Sequence, residues 1–584
     1  MEPVVAEQPL TAAPDPARGE VLNRGVRRPA RWIGIGLVVV LLGLFFIWPV
    51  VDIVLRSFDP QGRVSYSHPR ISWTHYAEVF REPALRAVLR NTLVLAVWST
   101  FFTVLLAYPA AYLLSRLRRR LALPLLVLIL VPFWVSILVR LFAFTQVLGT
   151  KGLVNKTAGL FGLGPFRLLF NTQATVIGMV NYLLPYMILI LYASMAGVDP
   201  NLTVAAKSLG ATAWQAFRRV FFPVTKGALV AGTLLVFVLA LGFFLTPAVL
   251  GGAKNTTIAV FIQQRINLFD WGAASAMGIV LLVVTIIGFT IAVRVSGIAG
   301  LMGRTRGSQK GVSQVDPLER SPMTVVLWID FIIVLAILLV PLIIVIPVSF
   351  DKTEFITFPP EGLSLHWYHE VLTNPLWTSA IWKSFKTGIG VAFLATGLAL
   401  LLARAMLTLR SQLTKSALQA FVYAPLVVPV ILLAIGILDV QTKTHLLGTT
   451  WGLIFAHTVL ALPFTFAITY NALAGLDPAI EEAAWTMGAT RTRTFFVVVL
   501  RQILPSIVGA MLLAFITSWD EVVIALFQTV RQQTLPVTIF SFLKAGVQPS
   551  VAAVATLLIA IVLIVMVVSQ VVGGRMRRRR TVKA

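Results

Sequence analysis

Residues 477–490 read Asp477-Pro-Ala-Ile-Glu-Glu-Ala-Ala-Trp-Thr-Met-Gly-Ala-Thr. They restate residues 199–212, Asp199-Pro-Asn-Leu-Thr-Val-Ala-Ala-Lys-Ser-Leu-Gly-Ala-Thr, at an offset of 278. Across Leu184–Val220, 15 of 37 positions are identical to their partners at that offset, far more than chance supplies. The shared residues have a physical logic. Asp caps a helix and Pro sits in its first turn. Ala-Ala continues it, Gly-Ala ends it, and a Phe and a Val three apart follow before the chain turns apolar again. A short helix ending in Gly with apolar side chains beside it suits docking into a partner's groove. An interfacial helix lying on lipid is the plainer alternative, but lipid does not call for this spacing twice.

Both copies stand in the gap between the fourth and fifth of six apolar runs. The first half holds runs at about 33–55, 91–115, 121–148, 172–195, 228–250 and 272–296. The second holds runs at about 324–349, 384–403, 417–438, 451–473, 506–528 and 549–572. Each is close to the ~20 apolar residues that cross a bilayer as a helix. Composition agrees: 58% of the 584 residues are hydrophobic, 12% are charged, and mean hydropathy is +0.88. So few charges cannot cover so much apolar surface in water. Six spans per half bring the chain back in the same orientation, so this is a parallel duplication. The first run is not a cleavable signal, since a long segment precedes it and no small-x-small site follows at Val51–Phe58.

The net charge of +25 suggests nucleic acid, but position argues otherwise. With twelve spans and a cytoplasmic N-terminus, 30 of the 48 Lys and Arg residues fall on the inner side, including the clusters at Arg116–Arg120 and Arg577–Arg580. That obeys the positive-inside rule and places both termini in the cytoplasm, with basic segments near anionic lipid heads. Residues 1–31 read as a disordered cytoplasmic tail, 32–296 as one six-span domain, 297–322 as a Gly/Ser-rich linker, 323–573 as a second six-span domain, and 574–584 as a basic tail.

The chain has no cysteine, which removes disulfides, thiolate metal sites and cysteine nucleophiles. The six histidines are scattered apart from His366-Trp-Tyr-His369-Glu370, whose order is not that of a zinc protease. No GxxxxGK[ST] phosphate loop occurs, so ATP hydrolysis needs a separate polypeptide. No nucleophile–base pair presents itself, and an enzyme is not expected. Ionisable groups in spans cost about 2.5–3.5 kcal/mol each on insertion scales and need a reason. Ser518-Trp519-Asp520-Glu521 is the outstanding case: two acids and an indole late in the eleventh run, where Coulomb attraction and cation–π contact can attract a cation. The matching segment of the first half, Leu239–Thr246, has no acid, so the site is asymmetric. Arg140 reads as structural, and Asp330 and Asp439 as interfacial.

The repeated stretch resembles the loop of ABC importer permeases written E-A-A-x3-G-A-x5-F-x2-V-x2-P. The second half carries Glu482, Ala483, Ala484, Gly488, Ala489, Phe495 and Val498; the first carries Val204, Ala205, Ala206, Gly210, Ala211, Phe217, Val220 and Pro223. The first half departs from the pattern at Val204, and the second has Arg501 where the first has Pro223. Val131–Phe144 and Leu148–Asn155 look like the first permease of spermidine/putrescine importers. Pro425–Pro429, Ser518–Phe527 and Thr534–Ile559 look like the second.

The resemblance implies an all-α polytopic membrane protein of two tandem six-helix type I permease domains, fused in one chain of about 12 spans. It implies that Ala205, Ala206, Gly210, Ala211, Phe217, Glu482, Ala483, Ala484, Gly488, Ala489 and Phe495 belong to two coupling helices that dock on cytosolic ATPases. One chain would join two ATPase subunits and one periplasmic binding protein in a bacterial inner membrane. It would hold no cofactor itself, ATP and Mg²⁺ being bound on the ATPase. The solute expected is a polyamine moved by alternating access. Fused permeases for ferric ion, thiamine or aminoalkylphosphonates, or a secondary transporter, are the alternatives.

Overall fold

The computed structural model describes residues 28–62, 71–301, 322–354, 358–546, 548–561, 563 and 564. Most of the expected N-terminal tail and linker, the basic C-terminal tail with Arg577–Arg580, and the end of the twelfth run lie outside the described residues.

In chain order the principal helices of the first half are α1 (Trp32–Phe58), α2 (Pro83–Arg116), α3 (Arg119–Trp134), α4 (Ile137–Leu148), α5 (Thr172–Met195), α6 (Pro200–Ser208), α7 (Ala213–Leu241), α8 (Leu245–Leu250) and α9 (Trp271–Leu301). The second half follows with α10 (Pro322–Val348), α11 (Pro375–Leu407), α12 (Gln412–Leu426), α13 (Val430–Lys443), α14 (Thr450–Ala474), α15 (Pro478–Thr486), α16 (Arg491–Trp519), α17 (Val523–Gln528), α18 (Leu535–Ala545) and α19 (Pro549–Ile561). Among the described residues ten helices are long and apolar enough to cross a membrane, or eleven with α12 and α13 counted as one bent span.

Two pairs of apolar runs are not single helices. The run at 121–148 breaks between α3 and α4 at Val135, just past the last turn of α3, which contains Pro132, and the Ser136 hydroxyl caps the next helix by accepting from the Leu138 N–H. Its counterpart in the second half bends by 96° between α12 and α13, beside Pro429. The fifth and eleventh runs break near their ends as well, giving the short helices α8 and α17. Apart from Asp520 and Glu521 in the eleventh run, these breaks are largely apolar in sequence, so hydropathy passes through them.

The fold forms two compact units, and each takes residues from both halves of the sequence. In one, the described residues within 1–52 join 381–428 and 432–534. There Phe45 of α1 lies 5.5 Å from Phe455 of α14 between ring centroids. Pro49 sits so close to Gly436 of α13 that a Cβ there would lie 2.6 Å from the proline Cβ. Gly390 on α11 likewise admits Ile454 of α14, since a Cβ would come within 2.4 Å of its Cδ1. Small residues at such crossings let membrane helices approach backbone to backbone. The other unit holds the described residues within 53–380, 429–431 and 535–584. In it α10 packs on α2 and α4, and α2 packs along α5. Thus the first helix of each half is housed with spans of the other half.

Candidate functional site

The two repeated loops fold alike. Asp199 and Asp477 each cap their helix, accepting from Asn201 N–H at 2.9 Å and Ala479 N–H at 3.0 Å. At the far ends of α6 and α15, Gly210 has φ +87° and Gly488 has φ +84°. Their N–H groups return to Lys207 O and Trp485 O, both at 2.9 Å. The next residues, Ala211 and Ala489, donate to Ala206 O and Ala484 O, both at 3.0 Å. This is a Schellman close, in which a left-handed glycine lets the helix satisfy its last carbonyls. The motif's spacing follows from it: the second Ala of Ala-Ala accepts from the Ala of Gly-Ala five residues later.

Thr212 and Thr490 then start the re-entering helices by capping Gln215 N–H and Arg493 N–H. Phe217 opens a π-helical turn, Phe217–Phe221, and Phe495 lies in another, Thr494–Val499. Wide turns of this kind interrupt a helix where its side chains must be re-aimed. Phe217 stacks on Trp214 at 5.5 Å and meets Tyr112 edge-on at 5.3 Å.

Of the motif residues, Ala205, Glu482 and Ala483 are exposed, Ala206 is half-buried, and Ala484 is buried. Two residues that identity matching passes over are more prominent. Leu209 is 89% exposed and Met487 is 81% exposed, at equivalent positions immediately before each glycine. They differ in identity but share apolar character, and that was the available signal.

A second constellation pins the break between α16 and α17. Ser518 is the penultimate residue of α16, Asp520 lies past its end, and Glu521 precedes α17. The four residues 518–521 therefore do not share one helical turn. The Glu521 carboxylate accepts from Ile524 N–H at 2.8 Å and Ala525 N–H at 2.9 Å, closing the N-terminus of α17. His457 of α14 lies between the two sides, with Nδ1 2.9 Å from Ser518 Oγ and Nε2 3.3 Å from Glu521 Oε2. Ser518, His457 and Glu521 are all buried. A carboxylate taken up by two backbone N–H groups orients a helix; the trio is a brace rather than a nucleophile and base. Asp520 is half-buried, and Trp519 stacks on Phe515 at 5.5 Å. Sequence reading set His457 aside among scattered histidines, and nothing local distinguishes it.

Arg140 is buried, 3.5 Å from Asn181 Oδ1 and with its guanidinium 5.2 Å from the Tyr182 ring centroid. The Asn181 amide in turn donates to Ile337 O of α10 at 2.8 Å, as a structural role requires. Asp439 pairs with Lys443 at 2.6 Å, one turn along α13. Asp330 lies inside α10 and not at its end.

A model of the family described as binding-protein-dependent transport system inner membrane component matches residues 99–297 and again 395–578. The chain belongs to this family. It is an ABC importer permease, and the twofold match makes it look like two permeases fused. The spermidine/putrescine transport system permease protein PotB of Escherichia coli (strain K12) is 34% identical over 254 residues, covering 42% of this chain and 92% of that protein. PotC of Haemophilus influenzae (strain ATCC 51907 / DSM 11121 / KW20 / Rd) is 31% identical over 241 residues, covering 41% of this chain and 93% of that protein. The putrescine transport system permease protein PotI of E. coli (strain K12) is 30% identical over 253 residues, or 42% and 88%. Among solved structures, a chain of a bacterial ABC transporter that imports the acidic polysaccharide alginate overlaps 45% of this permease and 96% of itself, with a TM-score of 0.37 and 18% identity. The relatives are transport permeases, not enzymes.

Proposed function

We propose that this permease imports a polyamine, taking it from a binding protein outside the membrane and releasing it to the cytoplasm by alternating access. The observation that carries the reading is that relatives named for spermidine/putrescine and putrescine transport match at 30–35% identity over nearly their full lengths. One copy of the chain supplies both permease halves, so it joins two ATPase subunits and one binding protein. ATP and Mg²⁺ belong to the ATPase. The complex resides in a bacterial inner membrane with both permease termini cytoplasmic.

The α6 and α15 loops are the ATPase-coupling elements. Ala205, Ala206, Gly210, Ala211 and Phe217 shape one; Glu482, Ala483, Ala484, Gly488, Ala489 and Phe495 shape the other. Leu209 and Met487 present the apolar contact, and Glu482 adds charge on one side only. Trp519 and Asp520 line the solute path, where a carboxylate and an aromatic face suit ammonium groups separated by methylenes. Ser518 and Glu521 hold that segment in place.

The test is ATP-driven uptake of labelled putrescine and spermidine by vesicles containing the permease, its ATPase and its binding protein. Uptake without ATPase, or a binding protein that prefers an anion, overturns the polyamine importer reading.

A further inference from the structure

The coupling helix of the second half is fastened to its neighbouring span by an ion pair. In the second half, Arg404 at the inner end of α11 makes a forked ion pair with Glu481 of α15, Nη1 to Oε1 at 2.6 Å and Nη2 to Oε2 at 2.5 Å. Both side chains are largely shielded, at 12% and 7% exposure. The same guanidinium lies 5.9 Å from the Phe495 ring centroid. One side chain thus touches the coupling helix, the π turn that follows it and the span α11. A bidentate guanidinium–carboxylate pair fixes orientation as well as distance.

In the first half the position of Glu481 is held by Thr203, whose hydroxyl turns back to Pro200 O at 2.8 Å. A threonine cannot take a forked guanidinium. There α2 meets the π turn through rings: Tyr112 lies 5.3 Å from Phe217 and 5.1 Å from Phe221, and Arg116 stands 4.6 Å over Phe221.

We infer that Arg404 and Glu481 are positioning residues that make α15 and the inner end of α11 move as one body. ATPase motion then enters the second half through α11 as well as through α16. The inference rests on the reading of α6 and α15 as coupling helices.

The experiment uses the full chain in vesicles with its ATPase and binding protein, and measures ATP hydrolysed per solute imported. Glu481→Gln keeps the shape and removes the charge. It should raise that ratio about tenfold, within the usual range of coupling between sites, while the ATPase still co-purifies. The reversed pair, Arg404→Glu with Glu481→Arg, should recover most of the coupling. An unchanged ratio in Glu481→Gln, or no recovery in a reversed pair that is monodisperse in detergent, overturns the inference. Cysteines placed at Leu209 and Met487 separate the two readings. If neither cross-links to the ATPase, the coupling-helix reading falls; if both do and Glu481→Gln couples normally, only this inference falls.

Discussion

The Ala211 N–H donates to the Ala206 carbonyl across the left-handed Gly210, as the Ala489 N–H donates to Ala484 across Gly488. The hydrogen bond exists only while the glycine holds its positive φ. A β-carbon there costs about 1–2 kcal/mol in strain, although no neighbouring atom lies within 4 Å to collide with it. Gly488→Ala should therefore insert normally yet weaken ATPase-coupled uptake. Gly488→Asn, which tolerates that backbone, should retain more of it than Gly488→Ala. Equal activity in the two variants would count against the turn geometry as the reason for the glycine.

Glu521 and Asp520 should part ways under substitution. Glu521→Ala removes two charge-assisted hydrogen bonds from the start of α17, at about 1.5–3 kcal/mol each. It should lower the thermal midpoint of the purified permease by several degrees. Asp520→Asn should cut polyamine uptake strongly. Normal uptake in Asp520→Asn would remove it from the solute path.

Leu209 and Met487 bury little within the chain, so Leu209→Ser and Met487→Ser should change stability by less than about 0.5 kcal/mol. If they anchor the ATPase, each loss should weaken docking by about 2 kcal/mol, near thirtyfold, in a pull-down titration. Undiminished docking in the double variant would move the contact elsewhere on α6 and α15.

Cutting the chain within 302–321 and co-expressing the pieces should restore transport. The second piece alone should be poorly stable, because it lacks Phe45 and Pro49 against Phe455 and Gly436. A stable and monodisperse second half on its own would contradict that dependence.

Much of this was legible in the sequence, for identifiable reasons. The Asp-Pro cap and the Gly-Ala turn are demands of local backbone, so both copies kept them and a fixed offset revealed them. Arg404 and Glu481 lie 77 residues apart in one half only, beyond any repeat comparison. His457 and Ser518 meet across 61 residues for the same reason. The breaks at Val135 and Phe243–Phe244 are built from apolar residues, so a hydropathy run does not register them. Asp520 and Glu521 stood out as costly charges, but charge alone did not tell which one a helix end would take up.

The housing of α1 with second-half spans has a consequence for biogenesis. Phe45 leaves the ribosome about 400 residues before its partner Phe455. At ~5–20 residues per second that interval is roughly 20–80 s. Throughout it, α1 must persist in lipid without the helices that later enclose it. Among the spanning helices of the described residues it is more apolar than every other but α10, the first helix of the other half. A greasy opening helix can wait as a self-sufficient insert, and the rest of the chain, tethered to it, is synthesised within reach.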